Sequence, residues 1–200
     1  MGWEDAWREG RTGWDAGEAA PALVDLAKRG ELPRAGRALV PGAGSGYDAM
    51  ALGRHGLQVT ALDLAPTAGE RLKRTRAAAG LSAERVTVEV GDFFEFEPEA
   101  PFDLIWDYTF LCALEPELRP RWAETMARLL APGGELVTLI FPIVRITEDR
   151  LGPPFQLTPE AVRGALEPLG FEARHLAPVP HGLSHAGRRG KEWLGRWVRG

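Results

Sequence analysis

Apolar and polar residues change period several times along this chain, and each change marks an element. Arg37-Ala-Leu-Val-Pro41 is a short apolar run closing on Pro-Gly, and Leu57-Gln-Val-Thr-Ala-Leu-Asp63 alternates before it reaches an acid. Both read as strands. Arg85 to Val90, Phe102 to Tyr108 and Gly134 to Phe141 are three more, bounded by Gly91-Asp92, Pro101 and Pro142. Between them lie stretches of helical length: Tyr47 to His55, Pro66 to Ala79, Pro116 to Leu130 and Pro159 to Leu169. Pro66, Pro116 and Pro159 stand where a first helical turn tolerates proline, the last behind the N-cap candidate Thr158. Strands alternating with helices of this length predict an α/β fold, doubly wound and mostly parallel, with helices on both faces.

Three segments lie outside that rhythm. An N-terminal arm, 1 to about 20, carries Trp3, Trp7 and Trp14; residues 143–157 are loop-like and rich in proline; the tail from Phe171 shows two further strand-like runs around His181 to Arg189. Such additions fall near the carboxyl edge of a doubly wound sheet, where ligands bind. The arm, 143–157 and 181–200 are therefore expected to complete the active site of one domain spanning 1–200.

Bulk chemistry narrows the partners without choosing one. A chain that is 44% hydrophobic and 26% charged, with a net charge of −4, is neither a strongly basic nucleic-acid binder nor a disordered polymer. Its one cysteine, Cys112, has no intramolecular disulfide partner. The start lacks the basic and apolar regions of a signal peptide, and the longest apolar run falls far below the roughly 20 residues that span a bilayer. A cytoplasmic protein is expected, with no nucleic acid, no membrane and no obligate protein partner.

The first strand runs straight into Gly42-Ala-Gly-Ser-Gly46, and a helix follows. Small residues there let backbone approach a ligand, and the helix N-terminus offers unpaired N–H groups. With 24 glycines in the chain the bare motif is weak. Its context is stronger: Asp63 closes the second strand 21 residues after Gly42, the spacing that brings a carboxylate to ribose hydroxyls, although a solvated loop acid also fits. A dinucleotide site has a third glycine where this chain has Tyr47. Gly-x-Gly-x-Gly instead resembles the turn of S-adenosylmethionine-dependent methyltransferases, which also place an acid and an apolar residue, here Asp92 and Phe93, beyond the third strand.

The longer blocks VPGAGSGYDAMAL, ALDLAPTA, GDFF, FDLIWDYTFLCALEPELRPRW, LLAPGGELVTLIFP, GPPF and GKEWLGRW together resemble the thiopurine S-methyltransferase superfamily, most nearly its halide/thiol (thiocyanate) methyltransferase branch. The resemblance runs from Trp3 to Trp197. It implies a seven-stranded Rossmann-like methyltransferase sheet, S-adenosylmethionine as cofactor, and an aromatic lid built on Trp-x3-Trp-x6-Trp, matched by Trp3, Trp7 and Trp14. It places Gly42, Gly44, Asp63, Asp92, Phe93 and Tyr108 at cofactor-contacting positions. Tyr108 and Phe141 face the reaction centre by the same carry-over, with Phe141 standing where plant relatives have a tyrosine.

The implied chemistry fits the residue types. A sulfonium cation is attracted to aromatic faces by about 0.5 to 2 kcal/mol. By spacing alone, Trp3 and Trp7 equally form the apolar stripe of a helix docked on the core. A halide or bisulfide needs no general base, and the chain shows no Ser-His-Asp or Cys-His arrangement; position and desolvation would then carry an in-line transfer. The acceptor expected is a small anion or thiol. Alternatives are methylation of a thiopurine or other larger thiol, a nicotinamide-dependent oxidoreductase, and a non-catalytic S-adenosylmethionine-binding protein. Cys112 reads as a small buried hydrophobe, and no metal is expected, because Gly182 and Ser184 argue against a helix carrying His181 and His185. Arg188, Arg189, Lys191, Arg196 and Arg199 read as a solvated basic tail, or, paired with Glu192, as a closing edge strand.

Overall fold

Seven strands and six helices account for most of the chain in a computed structural model, which describes residues 2–144 and 153–200. The strands form one mostly parallel sheet ordered β3-β2-β1-β4-β5-β7-β6: β1 Arg37–Pro41, β2 Gln58–Asp63, β3 Val86–Val90, β4 Phe102–Tyr108, β5 Leu130–Ile140, β6 Phe171–Pro178 and β7 Trp193–Arg199. The chain divides into two compact units, Met1–Glu97 and Pro98–Gly200.

In the first unit β1, β2 and β3 run parallel, with Pro41 opposite Leu62 and Asp63 opposite Val90. This register decides the site. It puts the turn after Pro41, the carboxylate of Asp63 and the Gly91-Asp92 turn at one end of three neighbouring strands. Ala38, Leu39 and Val40 are all buried, the continuous apolar run of a strand covered on both faces. Helices α3, Tyr47–His55, and α4, Pro66–Ala78, pack on the strands, while α1, Trp3–Arg8, lies against α4. Helix α2, Pro21–Lys28, was not expected from the sequence; Pro21 starts it, and Ala22, Leu23 and Leu26 form its buried stripe.

In the second unit β4 pairs parallel with β5, placing Tyr108 opposite Leu139. Gly134 has a packing reason, since a Cβ there would stand 3.0 Å from the carbonyl oxygens of Ala131 and Phe102. Helix α5, Arg119–Leu129, starts later than the expected Pro116; Pro120 lacks the N–H that a continuous helix needs, so Pro116–Leu118 forms a separate 3-10 turn. Helix α6, Pro159–Leu166, keeps its expected cap, the Thr158 hydroxyl accepting from the Ala161 amide at 3.1 Å.

Two expectations for the tail fail. The strand-like runs at 181–189 are 3-10 turns, His181–Leu183 and Ala186–Arg188, where Pro180, Gly182 and Gly187 interrupt pairing. The C-terminal strand is not an edge: β7 is antiparallel to both β5 and β6, and β6 closes the sheet. The apolar Trp197, fully buried with its indole N–H donated to Thr138, suits an interior strand. The expected 143–157 addition lies largely outside the described residues, but Phe155 and Leu157 are tied by their amides to Cys112 and Pro142.

Candidate functional site

The glycine turn is held from below by the acid that the spacing singled out. Asp63 Oδ2 accepts the Gly44 amide at 2.9 Å, and Oδ1 accepts the Ala65 amide at 3.0 Å. A carboxylate offers about four acceptor positions, so each oxygen keeps capacity for a further donor such as a ribose hydroxyl. Burial pushes the Asp63 carboxyl above its ordinary value, opposed by the amides of Ala65 and Gly44. Gly42, Gly44 and Gly46 all have positive φ, the left-handed region that favours glycine. At Gly44 a Cβ would also approach within 3.6 Å of the Trp7 ring.

Trp7 reaches that turn because the arm is folded onto it. Trp14 stands edge-on to Trp3 at 5.3 Å and to Trp7 at 5.8 Å between ring centroids, making one three-ring cluster. Glu4 accepts both the amide and the hydroxyl of Thr67 at the start of α4. The Ser45 hydroxyl, inside the glycine turn, donates to Asp15, and the Ala20 amide donates to Asp48. Four contacts thus seat residues 3–20 on the turn. Glu4, Asp15 and Thr67 were not singled out from sequence, because an acid in a first helical turn and a threonine after Pro66 have ordinary local explanations.

Asp92 and Phe93 follow β3 at the same strand end. Asp92 accepts the Phe94 amide at 2.8 Å and is exposed, whereas Phe93 is buried edge-on to Phe94. The large apolar side chains of Leu64 and Val90 are exposed beside Asp63 and Gly91, 56% and 46% respectively.

In the second unit, Tyr108 and Phe141 come together with three tail residues. The Tyr108 hydroxyl donates to Glu192 Oε1 at 2.5 Å. The Arg188 guanidinium lies 4.8 Å from the Tyr108 ring centroid and 4.9 Å from that of Phe141, and His185 stacks parallel to Tyr108. Burial raises the Tyr108 hydroxyl above its ordinary value, with Arg188 opposing and Glu192 adding to the effect. Asp107, one residue earlier, is an internal anchor: it accepts the Leu111 amide and the Trp122 indole, and burial raises it to about 6. Thr109 then turns the chain with φ 61, a costly conformation for a β-branched residue, directly after Tyr108.

Arg188 and Glu192 are the principal correction to the expected site. The guanidinium is half-buried over two rings rather than solvated, and Glu192 is 1% exposed rather than part of a surface pair. The antiparallel register explains both: Ile140 faces Trp193, so Phe141 and Glu192 leave the strands at the same level. Nothing in the local sequence reveals that.

The sequence model of the thiopurine S-methyltransferase family matches residues 1–188. The chain is 45% identical over 198 residues to a probable thiol methyltransferase 2 of Arabidopsis thaliana, covering 99% of this chain and 84% of the relative. It is 42% identical, with the same coverage, to thiocyanate methyltransferase 1 of the same plant. Among solved structures, the glycopeptide N-methyltransferase MtfA complexed with sinefungin superposes with a TM-score of 0.73 at 18% identity, covering 91% of this chain and 94% of that one.

Proposed function

Since the chain belongs to the thiopurine S-methyltransferase family, and is thereby an S-adenosylmethionine-dependent methyltransferase, we propose that it methylates a small soft nucleophile: a halide, bisulfide, thiocyanate or small thiol. The family membership removes the nicotinamide alternative. The observation that carries the acceptor class is the Arg188 guanidinium over the faces of Tyr108 and Phe141. A cation held against apolar rings attracts a large, weakly hydrated anion and offers little to a strongly hydrated one. The names of the two plant relatives agree with that class.

On this reading the cofactor, when bound, supplies a methyl group on a sulfonium sulfur. Its cradle is the positive-φ turn of Gly42 and Gly44, with the spare acceptor positions of Asp63 for ribose, and Asp92, Phe93, Leu64 and Val90 for the base. Trp3, Trp7 and Trp14 exclude water and present ring faces to positive charge. Tyr108 and Phe141 provide a dry, aromatic acceptor wall. Stripping water from an anion raises its reactivity, so no base is needed for halide or thiocyanate.

The test is headspace detection of methyl iodide, methyl thiocyanate or methanethiol from purified enzyme, S-adenosylmethionine and each acceptor. Production of at least one is expected; cofactor binding without any of these products sinks the proposal. Competition between thiocyanate and a thiopurine measures acceptor size preference, and a preference for thiopurine would transfer the enzyme to the larger-thiol class.

A further inference from the structure

Tyr108 is held at both ends of its side chain. β4 pairs the residue with Leu139, His185 stacks parallel on its ring, and the Arg188 guanidinium lies 4.8 Å from the ring centroid. At the far end the hydroxyl donates to Glu192 Oε1 at 2.5 Å. Glu192 is itself fixed. It is 1% exposed, its carbonyl accepts the Val179 amide at 3.0 Å, and the next residue, Trp193, opens β7 opposite Ile140. The second carboxylate oxygen, Oε2, has no hydrogen-bond partner among the described residues.

A phenol has a single proton to donate. Burial pushes the Tyr108 hydroxyl above its ordinary value, so the proton stays on the oxygen through the assay range, and it lies on the bond to Glu192. Toward any other group the oxygen presents only lone pairs, which an anion avoids. What remains for an anionic acceptor is the ring faces of Tyr108 and Phe141 and the guanidinium over them.

Withholding that donor sorts anions by hydration. Chloride is smaller than iodide, gives up more on leaving water and gains more from each hydrogen bond that replaces the water. A site with one donor fewer therefore disfavours chloride more than iodide. Net charge does not sort them in this way: the sulfonium of the methyl donor and Arg188 attract, and Glu192 repels, the one negative charge that every halide carries.

We propose that Glu192 is a specificity-determining positioning residue: by accepting the Tyr108 hydroxyl it keeps that donor from the methyl acceptor, and so favours large, weakly hydrated anions over chloride. The inference rests on the acceptor class of the preceding subsection and narrows it. Selection here works against the unwanted partner, by leaving its hydration uncompensated, and adds no contact to the wanted one. Glu192 touches neither methyl donor nor acceptor; it acts through the direction of one O–H bond.

A double-mutant cycle read as a halide ratio tests this. Purified enzyme with S-adenosylmethionine is given iodide and chloride in competition, and headspace methyl iodide and methyl chloride give the ratio of the two kcat/KM values. Glu192→Leu frees the hydroxyl to donate to the acceptor, and the iodide-to-chloride ratio is expected to fall about three- to tenfold, part of the worth of one hydrogen bond to an ion. Glu192→Leu with Tyr108→Phe lacks the same carboxylate charge but has no hydroxyl to release, and should return the ratio to that of wild type. Tyr108→Phe alone should keep the wild-type ratio, whatever it does to the individual rates. An unchanged ratio in Glu192→Leu, or an equal fall with and without the hydroxyl, overturns the inference and leaves the acceptor class standing. Should Glu192→Leu fail to fold, Tyr108→Phe decides alone: a rise in its ratio would mean that the hydroxyl already serves the acceptor in wild type, and the inference fails. If wild type methylates neither halide, the halide part of the acceptor class falls first, and the inference with it.

Discussion

The carboxylate of Glu4 accepts two hydrogen bonds from Thr67, one from the amide at 3.0 Å and one from the hydroxyl at 2.6 Å, although 63 residues separate them. This pair joins the first turn of the arm helix to the first turn of α4. These bonds, the side-chain one first, hold the Glu4 carboxyl below its ordinary 4.5. A carboxyl depressed on folding contributes above its unfolded value and loses that contribution as pH falls through the folded one. The docking of the arm is therefore expected to weaken below pH 4.5. Glu4→Gln should imitate the acid state, raising hydrogen exchange of the Trp3–Arg8 amides up to about fivefold at neutral pH, the range of an exposed charged contact. Unchanged exchange in the variant would remove Glu4 from the latch.

Gly46 is expected to be the least replaceable residue of the glycine turn. It has φ +84, and a Cβ there would come within 2.3 Å of Leu72 Cδ2 and 3.3 Å of Met50 Cε. The left-handed conformation alone costs an L-residue about 1–2 kcal/mol. Gly46→Ala should lower Tm by about 2–8 °C. Gly13→Ala, where a side chain meets open space and φ is not restricted, should leave Tm unchanged. Equal melting of the two variants would refute the packing argument.

Asp107 gives stability a second pH dependence of opposite sign to that of Glu4. Burial raises it from 3.8 to about 6. A group raised on folding contributes fully below its unfolded value, and the contribution disappears as pH rises through the folded one. The difference amounts to about 3 kcal/mol between pH 4 and 6. Asp107→Asn should abolish this slope. It should also cost about 1–3 kcal/mol, because a single amide oxygen replaces two carboxylate oxygens and leaves either the Leu111 amide or the Trp122 indole unpaired. Chemical denaturation of both proteins across that pH range measures slope and offset separately.

Cys112 is expected to be inert in the folded protein. It is 2% exposed, and burial, reinforced by Asp107, pushes its thiol up to about 12, so almost none is thiolate at pH 8. Iodoacetamide at that pH should label native protein negligibly and denatured protein once. Rapid native labelling would mean that the segment after β4 opens.

Much of the geometry around the glycine turn was legible in sequence because it is local. The apolar run of β1, the glycine turn and the first turn of α3 are contiguous, and the spacing from Gly42 to Asp63 is one helix and one strand of a parallel repeat. Once the strands are parallel and in register, Asp63 has to arrive under Gly44, and it does, at 2.9 Å. The spacing of the tryptophans left an apolar stripe and an aromatic lid both open; the structure brings the three rings together after one short helix and one turn.

What sequence alone determined was the alternation of strands and helices, the glycine turn with its acid, and the aromatic arm, each encoded by neighbours along the chain. Only the tertiary structure decided that Glu4 meets Thr67, that β7 enters the sheet between β5 and β6, and that Arg188 and Glu192 close on Tyr108 and Phe141. The reason is range. Hydrophobic periodicity reports burial of a residue's own element, whereas the partner of a charge 84 residues away in Glu192 depends on strand order and register, which no local pattern carries.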